Sequence, residues 1–331
     1  MSGDADTPTG GPFAELADPY RGELLAHCYR MVGSLHDAED LVQETLLRAW
    51  RGYPKFNGHS SLRTWLYRIA TNTCLTALGS THRRVLPSGL GTGVPDAGPA
   101  ELPHLDRVSW LEPAPTSALA GPARADDPAT VVALRDSTRL ALVAAFQKLP
   151  VRQRAALLLV EVVGYTPAEA AEALGVTVTV VRSLLQRARA TLAVDVPVQD
   201  RVVAPPDLDS GLLHRYLRAF EAADVAALAE LLVADVEYEM PPIPVWFRGR
   251  AAVLDHHVRR VFSRARRGLA TSANGYPAVA TYTEADDGTF TAHAIQVVEP
   301  RGGLVARITV FLGDGLFPGF GLPLTLPPRR P

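Results

Sequence analysis

The segment Thr166-Pro-Ala-Glu-Ala-Ala-Glu-Ala-Leu-Gly-Val-Thr-Val-Thr-Val-Val-Arg-Ser-Leu-Leu-Gln-Arg-Ala-Arg-Ala-Thr-Leu192 constrains this chain more than any other. It reads as a helix, a tight turn at Gly175, and a second helix carrying Arg182, Arg187 and Arg189 with no acidic residue. That is the outline of a helix-turn-helix, whose second helix enters the DNA major groove. Ala170, Ala171 and Leu174 supply the apolar face of the first helix, and Val176, Val178, Val181, Leu185 and Leu192 pack the second against it. Ser183, Gln186 and Arg187 then project outward beside Arg182, at spacings of three and four that share one helical face. Arg and Gln can read base edges, while Ser and the remaining Arg side chains suit phosphates. An ordinary helical hairpin with a solvated basic face fits the same residues.

A second, earlier segment narrows the choice. Residues 13–84 contain Asp37-Ala-Glu-Asp-Leu-Val-Gln-Glu-Thr-Leu-Leu-Arg-Ala-Trp50, then Lys55-Phe-Asn, then Ser61-Leu-Arg-Thr-Trp-Leu-Tyr-Arg-Ile-Ala-Thr-Asn-Thr-Cys74. This run resembles region 2 of the extracytoplasmic-function (ECF) group of sigma-70 family RNA polymerase factors. The helix-turn-helix, within residues 129–196, resembles region 4 of the same group. Two separate matches in the right order are far more specific than either alone. Leu184 stands where relatives often carry a basic residue, so one phosphate contact is expected to be missing.

In the helix expected from Asp37 to Arg51, Ala38, Leu41, Val42 and Trp50 are candidates for an inward stripe. Asp40, Gln43 and Glu44 form an acidic, hydrogen-bonding ridge on the other side. A solvated face with acids near the helix N-terminus accounts for that ridge too. The resemblance implies a docking contact with the clamp helices of the polymerase's largest subunit.

The following helix combines Arg63, Trp65, Tyr67, Arg68 and Asn72, a mixture able to track phosphates and stack unpaired bases. Trp65 is expected in the core with Tyr67 at its rim. The resemblance implies that Arg63, Arg68 and Asn72 contact the −10 promoter element, and that the loop Asn57-Gly-His-Ser60-Ser61 holds an extruded base. Taking a base out of the stack costs a few kcal/mol, so a preformed pocket helps to open the duplex. His59 reads equally as a base contact or a solvated loop histidine. His82, Arg83 and Arg84 add positive charge suited to phosphates. By the same resemblance, Arg182, Ser183, Gln186, Arg187 and Arg189 are the −35 readers.

Residues 85–128 are rich in Pro, Gly and Ala and nearly without periodicity, and read as a flexible linker. Its reach would be about 35–40 Å, enough to place two readers on successive promoter elements. Trp110 and Leu111 are a candidate docking spot within it, or a transiently ordered piece. The net charge of −2 looks wrong for a DNA binder until it is divided. Positive charge gathers near 63–84 and 182–189, while the ridge is acidic, and local fields decide. Cys28 and Cys74 lack metal-ligand spacing and are expected as buried thiols. No metal or cofactor is expected. No signal peptide or membrane-spanning apolar run is evident, so a cytoplasmic location without membrane contact is expected. Residues 1–12, rich in Gly, Pro, Asp and Thr, read as a disordered tail.

After a short linker at 197–207 the chain continues with a further unit at 208–326 and a tail at 327–331. Two helices are expected, one capped by Asp209 or Ser210 and one at Ala222–Leu232. Val236-Glu-Tyr-Glu-Met240 alternates like a strand stopped by Pro241-Pro242, and Arg250 to Arg267 is helical in pattern. Three strand-like runs follow near 276–283, 290–299 and 303–312, with Asp286-Asp-Gly and Pro300-Arg-Gly-Gly as hairpin turns. This order, with Met240-Pro-Pro, Trp246-Phe-Arg-Gly-Arg250 and Phe317-Pro-Gly-Phe-Gly-Leu-Pro, resembles the SnoaL-like, ketosteroid-isomerase-like α+β cone fused to some sigma factors. The fold expected is therefore multidomain: two all-α modules followed by an α+β cone.

Such cones enclose an apolar pocket. Its candidate lining is Tyr238, Trp246, Asn274, His293, Thr309 and Phe311. Met240 occupies the place where isomerase relatives carry a carboxylate before proline, which argues against proton abstraction of that type. His293 paired with a distant acid is a substitute base; a lone strand histidine also serves as core or rim. A regulatory domain is expected, docking on the sigma core or binding a small molecule. The run Arg259-Arg260-Val-Phe-Ser-Arg264-Ala-Arg-Arg267 is a candidate to meet Asp37, Glu39, Asp40 and Glu44, or else a solvated face. Expected partners are core RNA polymerase and promoter DNA, with an anti-sigma factor or a small molecule as further candidates. The competing class is a small-molecule enzyme whose helix-turn-helix regulates its own expression.

Overall fold

The computed structural model describes residues 11–79, 84–89, 109–119, 138–195 and 210–329. The first module packs α1 (Gly11–Ala17), α2 (Arg21–Val32), α3 (Leu35–Gly52) and α4 (Leu62–Leu78) around a common core. Ser34 caps α3 by accepting from the Asp37 N–H, and Ser61 caps α4 through Thr64. Ala38, Val42, Thr45 and Ala49 form the buried stripe of α3, at helical spacing. Trp50 is not in it: its side chain is exposed. The inward position of that last turn is taken by Ala49, one residue earlier, so Trp50 falls on the outer arc. Trp65 is buried as expected, its ring 4.9 Å from Phe56, whereas Tyr67 is core rather than rim. Cys28 and Cys74 are both free and buried.

The second module comprises α6 (Leu140–Gln147), α7 (Val151–Leu157) with a π-helical turn at Leu158–Val162, α8 (Pro167–Leu174) and α9 (Val178–Asp195). It lies against the first module. Arg154 of α7 is buried and donates to the Met31 carbonyl of α2, to Gln147 Oε1, and to the Gln147 and Leu149 carbonyls. Gln147 Nε2 in turn donates to the Arg30 carbonyl. One guanidinium thus satisfies the carbonyl-rich ends of helices from both modules, which is where cations are favoured.

The segment expected to be a flexible linker is ordered wherever it is described. Val85 bridges Trp110, Leu86, Leu111 and Leu119 are buried, and Thr116–Leu119 forms a short helix, α5. No periodicity announced this: Leu86, Leu111 and Leu119 are widely spaced in sequence yet join one core cluster.

The cone begins with α10 (Ser210–Glu221) and α11 (Val225–Leu231), followed by β1 (Leu232–Met240), β2 (Ile243–Arg248) and α12 (Arg250–Arg259). Strands β3 (Arg266–Ala273), β4 (Tyr276–Glu284), β5 (Phe290–Arg301) and β6 (Leu304–Leu312) complete a sheet ordered β2-β1-β6-β5-β4-β3, with β7 (Thr325–Leu326) added on β5. Only β1 and β6 pair in parallel along that order. The helix expected to run through Arg267 stops at Arg259, and the rest of that arginine-rich run is a 3-10 turn and the start of β3. Gly268 permits α10 to lie close on β3, since a Cβ there would fall 2.4 Å from Leu217 Cδ1.

Both faces of the sheet are covered. One face packs α10–α12 through Phe220, Tyr238, Phe247, Ile308 and Val310. The other carries Tyr282, Phe290, Ile295 and Phe311, joined by Phe317 from the turn after β6, into one continuous core with the helical modules. Asn274, in the β3–β4 turn with φ of 54°, joins them. Its N–H donates to the Ala114 carbonyl, its Oδ1 accepts from the Ala114 N–H at 3.0 Å, and its Nδ2 donates to the Tyr29 hydroxyl and the Thr138 carbonyl.

Replacing Arg154 by Met orphans several buried carbonyls. Urea denaturation of the variant is expected to show a loss of about 2–4 kcal/mol; unchanged stability would remove Arg154 as the joint between the helical modules.

Candidate functional site

The helix-turn-helix is built as its sequence implies. Thr166 and Glu169 form a reciprocal capping box at α8, and Gly175 closes that helix in the left-handed region at φ of 63°. Val181, Leu184, Leu185 and Ala188 are buried on α9. That leaves Arg182, Ser183, Gln186 and Arg187 exposed together on the opposite arc. Leu184 belongs to the packing face, so its position offers DNA nothing. Arg187 Nε donates to its own Ser183 carbonyl. Arg189 sits to one side and pairs with Glu161 of the π-helical turn. Four side chains of the five expected thus share one open face, and the fifth is held by a carboxylate.

On α4 the expected residues are placed together but already engaged. Arg63 Nε donates to both Glu23 oxygens, at 3.2 and 2.9 Å, and its guanidinium lies 4.8 Å over the Tyr67 ring. Burial opposes the Arg63 charge, yet Tyr67 and Glu23 raise its pKa overall. Arg68 pairs with Glu172 of α8 at 3.3 Å, and Asn72 Nδ2 donates to the Ala173 carbonyl at 3.2 Å. Tyr165 reinforces the contact by donating to the Thr64 carbonyl. The second module therefore covers the polar face of α4. In the preceding loop, His59 and Ser61 are exposed, Ser60 is half-buried, and Asn57 Oδ1 accepts from the His59 N–H.

The ridge of α3 is open. Asp40 and Gln43 are exposed, and half-buried Glu44 carries an ion pair with Arg48 at 2.6 Å. Leu47 and Trp50 are exposed and prolong the ridge at the same helical spacing. The sequence reading assigned Trp50 to the core and passed over Leu47. Arg84 does not wait for phosphate: it pairs with Asp37 and, at 3.7 Å, with Glu112. His82 and Arg83 lie outside the described residues. The basic run of the cone does not meet the α3 acids through any ion pair seen among the described residues; Arg259 pairs with Asp255, Arg264 with Asp286, and Arg266 and Arg267 bond within the cone.

The expected pocket lining divides between two faces. Tyr238 faces the helices, whereas Trp246, Thr309 and Phe311 alternate with the residues that do so. Phe311 joins the core shared with the helical modules, and Thr309 donates to Glu239, whose other oxygen accepts from the Ser88 N–H at 3.1 Å. Asn274 is the interdomain joint, not a pocket residue. Glu239, a buried carboxylate missed by the sequence reading, is thus directed to residues 84–89 rather than into the cone. Met240 is buried where a catalytic carboxylate was sought.

Four histidines are held neutral. Burial, then the Arg30 and Arg63 charges, lowers His27 to about 3. Burial is also the main cause for His256 (about 3), His257 (about 4) and His293 (about 4), with Arg266 adding to the last two. Among the described residues no helix is long and apolar enough to cross a membrane, and no cluster of metal-ligating side chains occurs.

Comparison with known proteins gives three family matches: Sigma-70 region 2 at residues 16–84, Sigma-70 region 4 at 139–192, and a SnoaL-like domain at 213–308. ECF RNA polymerase sigma factor SigG of Mycobacterium tuberculosis is 50% identical over 324 residues, covering 96% of this chain and 85% of that protein. SigM of the same organism is 31% identical over 157 residues, 47% of this chain and 63% of its own. The crystal structure of M. tuberculosis sigma factor SigJ matches with a TM-score of 0.61 at 23% identity, covering 94% of this chain and 99% of that one, a likeness of fold.

The lowered histidine values fix a pH dependence. Between pH 6.5 and about 4 the unfolded chain binds more protons, so stability falls as pH falls, by up to about 1.4 kcal/mol per pH unit for each histidine. Denaturation at pH 7.5, 6 and 5 is expected to show this, and His257→Gln to flatten the slope. An unchanged slope would contradict the assignment.

Proposed function

The chain belongs to the extracytoplasmic-function sigma factors of RNA polymerase, and from that premise we propose how its residues divide the work. As a sigma factor it binds core polymerase and directs transcription initiation at promoters. The α3 ridge of Asp40, Gln43 and Glu44, prolonged by Leu47 and Trp50, is the polymerase contact, because it is accessible in the structure while the polar face of α4 is covered. Arg63, Arg68 and Asn72 with the Asn57–Ser61 loop read the −10 element. Arg182, Ser183, Gln186 and Arg187 read the −35 element, with Arg189 joining once released from Glu161.

One observation carries the mechanism: Arg68 and Asn72 are bonded to α8 of the helix-turn-helix module. In this state the two readers cannot span successive promoter elements. We propose that the cone modulates activity by holding that closed arrangement through Asn274, and that polymerase binding to the open ridge drives separation. The alternative, a small-molecule enzyme on a DNA-binding module, finds less support. Its expected base position is Met240, and the nearby carboxylate Glu239 is turned to the linker.

Charge reversal at Asp40 and Glu44 is expected to abolish promoter-dependent run-off transcription with core polymerase, leaving the fold unchanged by circular dichroism. Arg182→Ala and Arg187→Ala in the holoenzyme should each weaken binding to promoter DNA by about ten-fold. Full activity of the ridge variant, or unaltered promoter preference of the Arg variants, would defeat these assignments.

A further inference from the structure

Three hydrogen bonds converge on the carboxylate of Glu23, in the first turn of α2. Its Oε1 and Oε2 accept from Arg63 Nε at 3.2 and 2.9 Å, and Oε2 also accepts from the Tyr67 hydroxyl at 3.2 Å. Arg63 and Tyr67 stand four residues apart on α4 and share one face, with the guanidinium 4.8 Å over the tyrosine ring. A carboxylate at Nε and a ring beneath the plane fix the direction of the guanidinium. The bonds of Arg63 seen among the described residues all leave from Nε. Its side chain is 34% exposed against 13% for Glu23, so the carboxylate is the inner member of the pair and the guanidinium the outer one.

Arg68 and Arg189 also hold carboxylates, but those pairs differ in kind. Arg68–Glu172 joins the two helical modules and is lost when they separate, and Arg189–Glu161 is solvent-exposed. Exposed pairs of that sort are worth little. Glu23 and Arg63 belong to helices of one module, so their pairing does not depend on the closed arrangement. Arg63 also sits in the first turn of α4, where the helix dipole disfavours a cation. Glu23 offsets that cost, which accounts for the pair as structure. Its charge has a second consequence. A guanidinium that keeps its own carboxylate presents no net charge to DNA, so a phosphate reaching it gains hydrogen bonds while releasing little counterion.

We propose that Glu23 is a positioning residue for promoter recognition: it aims the Arg63 guanidinium and cancels its charge, so that this contact answers to the placement of a DNA group rather than to DNA charge at large. The inference rests on the reading of Arg63 as a −10 contact. Its effect is on specificity, because general attraction to phosphates supplies the non-specific binding that promoter recognition has to exceed.

The test measures binding of holoenzyme, assembled from core polymerase and the full chain, to a promoter fragment and to a non-promoter fragment of equal length across a salt series. Glu23→Gln keeps an acceptor for Arg63 Nε and removes the charge. It is expected to steepen the slope of log K against log salt by about 0.7–0.9 and to tighten non-promoter binding about five-fold at about 0.1 M salt. Both effects should be absent when Arg63→Ala is also present. Glu23→Asp keeps the charge and draws the carboxylate back, so promoter binding should weaken about three-fold at an unchanged slope. That variant decides the matter if the Gln variant fails to fold, and parental promoter binding by it then overturns the proposal. If Arg63→Ala alone binds promoter as the parent does, the −10 reading of Arg63 fails and the role of Glu23 with it. If Arg63→Ala weakens promoter binding while Glu23→Gln changes neither the slope nor non-promoter binding, the −10 reading stands and the role of Glu23 is overturned.

Discussion

The hydrogen bonds of Asn274 hold this architecture together. One buried side chain and its own N–H engage Ala114 between the helical modules, Tyr29 of the first module, and Thr138 at the entry to the second. The left-handed backbone at this residue is one that Asn adopts more readily than bulkier residues, and it turns the amide outward from the sheet. Tyr29 extends the network by donating to the Glu112 carbonyl at 2.7 Å. Asn274, Tyr29, Ala114 and Thr138 are all buried, so loss of the amide leaves donors and acceptors unpaired in several elements at once.

From that joint the remaining features follow. The sheet face that bears Ile295 and Phe311 becomes an internal surface, packed into one core with the helical modules. Two described pieces of the segment between those modules are tied to the cone, by Glu239 at Ser88 and by Asn274 at Ala114. The helix-turn-helix rests on α4, where Arg68 and Asn72 supply polar contacts. Those exposed contacts are individually weak. The closed state is therefore poised to open once a partner with greater affinity takes the α3 ridge or the promoter.

The sequence made much of this legible. The helix-turn-helix was readable because cap, Gly175 and apolar spacing agree. Strands β4 to β6 were readable because their turns carry Asp-Gly and Gly-Gly. Face assignment failed at Trp246, Thr309 and Phe311, since alternation specifies two faces and here both are buried. Strand β3 was hidden in an arginine-rich run whose Arg266 is buried and whose Arg267 lies over Phe290. Trp50 misled because a tryptophan was read as core, while the smaller Ala49 occupied the inward position. Arg68 and Asn72 were assigned by their promoter role, and nothing in their spacing could show that α8 would occupy them first.

The most direct test is a distance measurement between spin labels introduced on exposed positions of α4 and α8, at Thr76 and Ala168. The free chain should give one short, narrow distribution, and core polymerase should replace it with a longer one. Asn274→Ala should shift the free chain part of the way. A broad, long distribution in the free protein, or a short one that persists in transcriptionally active holoenzyme, would contradict the closed-to-open account.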